Sequence, residues 1–241
     1  MVRGWGFWLG VVFFALVMAG FTWAGFALWG TMKDEGQLPV VEIEVKGAHP
    51  HIPADDIRAV LKARPLGSFF TVDVNDVQKR LEAMPWVYQA AVRKAWPRKL
   101  QVYLVEQKPV AVWNDKGLLN DQGQVFNAAP TDKESELPRL YGEDGNSVDE
   151  LEGFKGLETL LGGNGYQLTA AWLSDRNSWE LQLKGGLKII LGREDTLRRV
   201  QRFIDCFPYL QGSDKQPAYL DMRYDIGFAV GWKEEEKKET P

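Results

Sequence analysis

Residues 5–29 read WGFWLGVVFFALVMAGFTWAGFALW and contain no Asp, Glu, Lys or Arg. A helix of this length, at about 1.5 Å of rise per residue, crosses a hydrocarbon core of roughly 30 Å. Its centre is too apolar to face water on all sides, and its tryptophans lie towards the two ends, where indole rings favour the lipid headgroups. The stretch is therefore predicted to be a transmembrane helix, with the rest of the chain divided between its two sides.

The charges that flank this helix predict its orientation. Arg3 and the α-amino group precede it, while Lys33, Asp34 and Glu35 follow it. Because positive charge is retained on the cytoplasmic side, residues 1–4 are predicted to form a cytoplasmic end, and everything after residue 29 is predicted to be exported.

A cleaved signal peptide is the alternative interpretation of the same stretch. Signal peptides have an apolar core of about 7–15 residues followed by small residues at the cleavage site. Here the apolar core is longer, and Phe26, Leu28 and Trp29 crowd the region where cleavage would fall. We therefore favour an uncleaved membrane anchor.

The composition of the exported part excludes some classes of partner. Arg3 is the one basic residue before the helix, so 28 basic residues stand against 33 acidic ones, a formal charge of −5. Such a surface does not attract nucleic acid. The single cysteine, Cys206, rules out an intramolecular disulfide, and its apolar helical surroundings predict a small core residue.

Residues 30–39 are polar and without periodicity, which predicts a linker, and residues 40–108 then form a β-α-α-β-β unit. Val41, Ile43 and Val45 alternate with charged residues as in a half-buried strand. Two helical patterns follow, the second with Asp73 as a suitable N-cap. Two further strands end the unit, the last running through Leu100.

This order of elements resembles a POTRA domain. The resemblance is carried by the stretches Pro85-Trp86-Val87, Val92-Arg93-Lys94, Trp96-Pro97-Arg98-Lys99-Leu100 and Val105-Glu106-Gln107-Lys108-Pro109-Val110-Ala111. A single such domain behind a short N-terminal anchor resembles the bacterial FtsQ/DivIB cell-division family. Two later stretches extend the resemblance over nearly the whole chain, LPRLYG at 137–142 and YLDMRYDIGFAVGW at 219–232.

Residues 109–232 are predicted to form a β-rich domain with a mixed or antiparallel sheet and two helices, so the overall class is α+β. The first helix presents one apolar face, made by Val148, Leu151, Phe154, Leu157, Leu160 and Leu161. The second helix begins after Asp195, and five of its apolar side chains are predicted to face the core: Leu197, Val200, Phe203, Ile204 and Phe207. Strands are predicted at 166–173, 179–183, 187–191, 219–224 and 228–232. The charged residues 233–241 are predicted to be a disordered tail.

The residues suited to catalysis do not combine into a site. His49 and His51 flank a proline, but neither a third histidine nor a second cysteine is available to complete a zinc site. The glycine-rich run at 162–165 follows a helix and precedes a strand, the reverse of a phosphate-binding loop. Asp55 and Asp56 suit the first turn of a helix. We expect no enzyme activity, no metal and no cofactor, in agreement with the non-catalytic role that the family resemblance implies.

The C-terminal strand is the predicted binding element. It is apolar, and an apolar terminal strand with a free edge is prone to aggregate unless a partner pairs with it; the alternative is an interior strand whose side chains only fill the core. The resemblance implies that this segment binds FtsB, which arrives with FtsL, and that FtsB adds a strand to the sheet. The predicted FtsB-binding residues are Arg176, Arg223, Tyr224, Gly227, Phe228, Val230 and Trp232.

A second, separate surface is predicted on the POTRA domain. The resemblance implies that this domain helps to bring the protein to the division site through other division proteins. Gln89, Val92 and Lys94 lie at alternating or nearly alternating positions of its second strand and are predicted to face a recruiting partner. The alternative is that Val92 is core and Lys94 is ordinary solvated surface.

The family resemblance implies a divisome scaffold of the inner membrane, located at the septum, that links early division proteins to FtsB–FtsL and septal wall synthesis. One rival is a POTRA protein of polypeptide transport or outer-membrane assembly, which would need a long transmembrane barrel after the POTRA domain. The other is an anchored wall hydrolase, which would need the catalytic constellation that the residues lack.

Overall fold

The structure is a computed structural model that describes residues 5–33, 42–47, 50–131, 133–210, 212 and 215–233. Five predicted features lie outside the described residues: the cytoplasmic end 1–4, residues 34–39 of the linker, Val41 of the first predicted strand, His49, and the tail beyond Lys233. The chain divides into two compact units, Met1–Gln107 and Lys108–Pro241.

The first helix, α1, runs from Trp5 to Lys33 and so continues four residues beyond the predicted end of the membrane stretch. Residues Phe7–Thr31 are long and apolar enough to cross a membrane, and none of their side chains is buried. Full exposure of an apolar helix is unfavourable in water but suits a helix surrounded by lipid.

The POTRA part has the predicted β-α-α-β-β order. Its elements are β1 (Glu42–Lys46), α2 (Ala54–Lys62), α3 (Val74–Glu82), β2 (Val87–Ala95) and β3 (Lys99–Glu106). The sheet has the order β1-β3-β2, in which β1 is parallel and β2 antiparallel to β3. The Asp73 side chain caps α3 by accepting the Asn75 amide at 2.9 Å, which confirms the predicted N-cap.

Along β3, buried and partly exposed side chains alternate, so the two faces of this sheet differ in burial. Leu100, Val102 and Leu104 are buried, whereas the residues between them are partly exposed. The buried residues pack with Ile57 and Leu61 of α2 and with the apolar side of α3, so both helices cover one face.

The second unit is built on one nine-stranded sheet. Its strands are β4 (Pro109–Trp113), β5 (Gly117–Asn120), β6 (Val125–Phe126), β7 (Arg139–Tyr141), β8 (Leu168–Leu173), β9 (Trp179–Leu183), β10 (Lys188–Gly192), β11 (Pro217–Asp221) and β12 (Ala229–Trp232). They lie in the order β12-β11-β10-β9-β8-β7-β4-β5-β6. Three neighbouring pairs, β10/β11, β7/β8 and β4/β7, are parallel, so the sheet is mixed.

Two helices cover one face of this sheet, and the presence of two helices in this domain was predicted. These are α4 (Ser147–Gly163) and α5 (Thr196–Leu210), and their side chains pack on strand residues such as Leu181, Ile189 and Leu220, all with no exposed surface. A 3-10 turn at Glu134–Glu136 lies between β6 and β7. Parallel pairs and two helices on one face make this a mixed α+β unit.

Two helix-face predictions are wrong at one residue each. Val148 is 54% exposed and Leu197 is 53% exposed, although both were placed on inward faces. Each lies second in its helix, directly after a less exposed residue, Ser147 in α4 and Thr196 in α5, so both lie just outside the buried stripe.

Candidate partner-binding edge

Strand β12 lies at one end of the nine-stranded sheet, and β11 is its single neighbour within the described residues. The pairing is antiparallel and joins Leu220 to Val230 and Tyr219 to Gly231. Directly after the strand, the Lys233 amide donates to the Gln216 carbonyl at 2.9 Å. Because backbone groups alternate between the two sides of a strand, the amides of Val230 and Trp232 point away from β11. This outer side of β12 is the open edge.

Tyr219 packs closely over the edge strand. A Cβ atom added to Gly231 would lie 2.1 Å from the Tyr219 ring. The ring can therefore occupy this position only because Gly231 has no side chain. The Tyr219 side chain nevertheless remains 44% exposed, and that of Trp232 remains 39% exposed. Two partly exposed aromatic side chains therefore lie on the pair of strands that ends in the open edge.

The loop between β11 and β12 carries further predicted residues. Tyr224 is 55% exposed, and Gly227 has a φ of +86°, a conformation that favours glycine. Tyr224 was predicted to end a strand, but β11 ends at Asp221. The physical reason is local: the Asp221 carboxylate accepts the Arg223 amide at 3.1 Å, which turns the chain out of the sheet.

Phe228 and Val230 differ from the other predicted residues in their surroundings. Phe228 lies just before β12 and packs against the main core of the unit. Val230 is half-buried opposite Leu220, which has no exposed surface. Their side chains thus support the sheet from within, and only the backbone of Val230 reaches the open edge.

Arginines gather around a depression of about 390 Å³ where β9 begins and where β10 and β11 end. Its lining includes Arg176, Arg193, Arg199 and Arg223, together with Ser178, Gly192 and Glu194. The structure therefore brings together the two predicted arginines, 176 and 223, which are 47 positions apart in the sequence. Arg193 and Arg199 were missed by sequence reasoning. They follow β10 and begin α5, and their proximity to Arg223 depends on the β10/β11 pairing, which has no local sequence signal.

The arginines of this depression differ in how they are held. The Arg223 guanidinium contacts the Asp221 carboxylate through Nε at 2.9 Å and Nη2 at 2.6 Å. Those hydrogen bonds lower the pKa of Asp221 and raise the pKa of Arg223, so both groups are charged at neutral pH. Arg199 donates to the Leu191 carbonyl, and Arg193 contacts Glu194 at 3.2 Å. The carboxylates nearby balance only part of the positive charge.

The three residues predicted on the POTRA domain do not share one face. Val92 pairs with Val102 and Lys94 with Leu100, so both point to the helix-covered side, whereas Gln89 pairs with the exposed Val105. Val92 packs against the POTRA core, and Lys94 donates to the Phe70 carbonyl at 2.9 Å. The three residues share only their strand, β2, which is one of the two edge strands of its sheet.

The histidine within the described residues has a structural environment. The ring of His51 stacks on Trp86 with centroids 4.2 Å apart, and its Nδ1 lies 3.1 Å from the Glu106 carboxylate. The same carboxylate accepts the His51 amide at 2.9 Å. Across the part of the chain that the structure describes, no three His, Cys, Asp or Glu residues are grouped so as to hold a metal ion.

Comparisons with known proteins agree on one family. Residues 38–107 match the family model "POTRA domain, FtsQ-type", and residues 111–223 match "Cell division protein FtsQ/DivIB, C-terminal". The cell division protein FtsQ of Shewanella oneidensis is 40% identical over 98% of this chain and 90% of its own length.

Two further relatives cover similar shares of the chain. FtsQ of Escherichia coli is 36% identical over 92% of this chain and 83% of its own length. FtsQ of Aliivibrio fischeri is 36% identical over 94% of this chain and 89% of its own length. With both domain matches in order behind an apolar helix, the chain belongs to the FtsQ/DivIB family of cell division proteins.

Proposed function

We propose that this protein is a scaffold of the division-site complex that binds FtsB, which arrives with FtsL, along the open edge of β12. It would thereby link early division proteins to septal wall synthesis. The observation that carries the proposal is the terminal position of β12, whose outer amides, at Val230 and Trp232, have no strand neighbour within the described residues. An unpaired edge of this kind accepts a partner strand through main-chain hydrogen bonds.

The side chains around the edge supply selectivity to this pairing. Tyr219, Tyr224 and Trp232 are exposed aromatic groups, and such residues are the usual anchors of protein interfaces. The arginine depression adds positive charge next to Tyr224, because Arg223 is one of its lining residues. Guanidinium groups bind carboxylates in a planar, bidentate manner, so the partner segment is expected to carry an acidic residue next to its strand.

The N-terminal helix supports a membrane location for the proposed scaffold. A single apolar helix and the FtsQ relatives fit a single-pass membrane division protein. We propose further that the N-terminus is cytoplasmic, that both domains are periplasmic, and that the protein is located at the septum of the inner membrane. The charge asymmetry around the helix supports this orientation.

Alanine variants at the two aromatic positions test the FtsB surface. Tyr224→Ala and Trp232→Ala should each weaken binding of the periplasmic part of FtsB to the full chain in nanodiscs by roughly thirty-fold, because truncating an anchor costs about 2 kcal/mol. Binding is measured by titration, and thermal unfolding of each variant is measured alongside.

Two exposed aromatic residues outside this surface serve as controls. Tyr209 is 87% exposed and Trp96 is 84% exposed, so their alanine variants should bind FtsB like the wild type. If Tyr224→Ala and Trp232→Ala unfold like the wild type and bind with unchanged affinity, β12 is not the docking edge.

We propose that the edge strand β2 of the POTRA domain contacts a recruiting division protein through Gln89, Val92 and Lys94. A fluorescently tagged Val92→Lys protein should then spread over the membrane instead of gathering at mid-cell, since a charge would enter the contact. Because Val92 packs against the POTRA core, Val92→Ala is the control for lost packing alone, and it should still gather at mid-cell. Normal gathering of a folded Val92→Lys protein would remove Val92 from the surface.

A further inference from the structure

Arg202, near the middle of α5, contacts the loop that joins β11 to β12. Its Nη2 donates to the carbonyls of Met222 at 2.7 Å and Tyr224 at 2.8 Å. Its Nη1 donates to the Asp225 carbonyl at 2.9 Å. One guanidinium therefore holds three carbonyls of the segment that leads into the edge strand.

Met222 and Phe228 anchor the two ends of the loop in the core, but the residues between them make few contacts that would fix their shape. Ile226 is 96% exposed and Tyr224 is 55% exposed, so neither side chain anchors the loop in the core. The Met222 amide donates to the Ile190 carbonyl, and the Arg223 amide donates to Asp221, but both of these bonds lie at the β11 end. A segment with little buried apolar surface opens locally at small cost unless hydrogen bonds hold it.

The geometry of the contact suits an arginine. A guanidinium presents its donors in a fixed planar fork, so Nη1 and Nη2 of Arg202 together bind three carbonyls, whereas lysine offers a single nitrogen at the end of a flexible chain. Hydrogen bonds from a charged donor are also stronger than those from a neutral one. The Nε atom of Arg202 is buried and has no acceptor among the described residues, so the outer fork carries the hydrogen bonding of this side chain.

We propose that Arg202 is a positioning residue, which holds the β11–β12 loop so that Tyr224 and the open edge of β12 are ready to receive the partner strand. The inference rests on the proposed function. Arg202 acts through the carbonyls it holds and need not touch the partner. A loop ordered before binding loses less conformational entropy on association, so the contact contributes to affinity from within the fold.

Hydrogen exchange and FtsB titration of the full chain in nanodiscs test this role. The variants are Arg202→Gln, Arg202→Lys and the control Arg198→Gln, whose side chain is on the same helix and largely exposed. In Arg202→Gln, the amides of Met222 and Arg223 should exchange at least about ten times faster, while amides of β9 keep their wild-type rates. Affinity for FtsB should fall by about ten-fold.

The two other variants separate the effects of the Arg202 charge and of its planar guanidinium from a general loss of stability. Arg202→Lys keeps the charge without the fork, so its exchange and affinity should lie between those of the wild type and Arg202→Gln. Arg198→Gln should match the wild type in both measurements. This graded result is not expected of a residue that only adds to overall stability, because such a residue would change exchange in the whole sheet.

Three results would overturn the inference. The first is unchanged exchange at Met222 and Arg223 in Arg202→Gln. The second is an equal rise in exchange throughout the sheet, and the third is faster loop exchange with wild-type affinity for FtsB. If the wild-type chain itself fails to bind FtsB, the proposed function fails, and the exchange rates still decide whether Arg202 holds the loop.

Discussion

A chain carrying Val230→Pro should lose FtsB binding by roughly ten- to a hundred-fold while keeping its nine-stranded sheet. The Val230 amide points away from β11, so proline removes a donor of the open edge and leaves the pairing between Leu220 and Val230 in register. A partner strand would then face a missing donor and leave its own carbonyl unpaired, at a cost of about 1–3 kcal/mol. Titration with the periplasmic part of FtsB measures the loss.

Val230→Ala is the matched control for this change. Both variants lose the half-buried valine side chain, but alanine keeps the backbone amide. The two proteins should therefore unfold at similar temperatures and differ in FtsB affinity. Equal affinities for Val230→Pro and Val230→Ala would mean that main-chain pairing at β12 does not contribute to binding.

The strand β12 could be predicted from the sequence, but its position at the edge of the sheet could not. Apolar residues between Gly227 and a charged tail indicate a last strand. Whether that strand is terminal depends on the partners of β11, which pairs in parallel with β10 across the whole of α5. Such a pairing joins residues about 30 positions apart and has no local pattern.

Short strands were missed for a related reason. No strand was predicted at β4, and Arg139–Tyr141 was predicted only to belong to a stretch that resembles the family. β7 has three residues, too few for alternation to be recognised, and its neighbours in the sheet are β4 and β8. Long-range pairing, rather than local propensity, makes these segments strands.

The candidate site shows the same division between local and long-range information. Arg176 and Arg223 were predicted from the family resemblance, whereas Arg193 and Arg199 join them only because β10 lies beside β11. Arg202 has an ordinary position within an amphipathic helix, and its role is visible only from the three carbonyls that it contacts.

Glu150→Gln should stabilise the second unit at pH 8 by as much as about 3 kcal/mol and leave it nearly unchanged at pH 4.5. Glu150 lies in the first turn of α4 and is 2% exposed. Its carboxylate is packed so closely on Gly142 that a Cβ there would lie 2.0 Å from Oε2. Burial raises its pKa from 4.5 to about 7, the negative charge of Glu143 adds to the rise, and a backbone hydrogen bond from Glu143 opposes it.

The sign of the pH dependence follows from this shift. The folded state binds the proton more tightly than the unfolded state, so between pH 4.5 and about 7 the wild-type unit loses stability as the pH rises. Above pH 7 the loss is complete, because the folded protein then holds a charged carboxylate in a buried place. Glutamine keeps the shape and an acceptor oxygen without a charge, so the variant avoids this loss.

The difference between variant and wild type isolates Glu150 from the other carboxylates. Asp221 has a lowered pKa, so it contributes stability that is lost only as the pH falls below its ordinary range, outside the window of Glu150. The free energy is measured in the full chain from the urea dependence of amide exchange in α4, at pH 4.5 and pH 8. Glu152→Gln, at an exposed position of the same helix, is the control and should change little at either pH. An identical difference between Glu150→Gln and wild type at both values would show that the Glu150 carboxylate is not destabilised by its burial, and that Gly142 and α4 accommodate its charge.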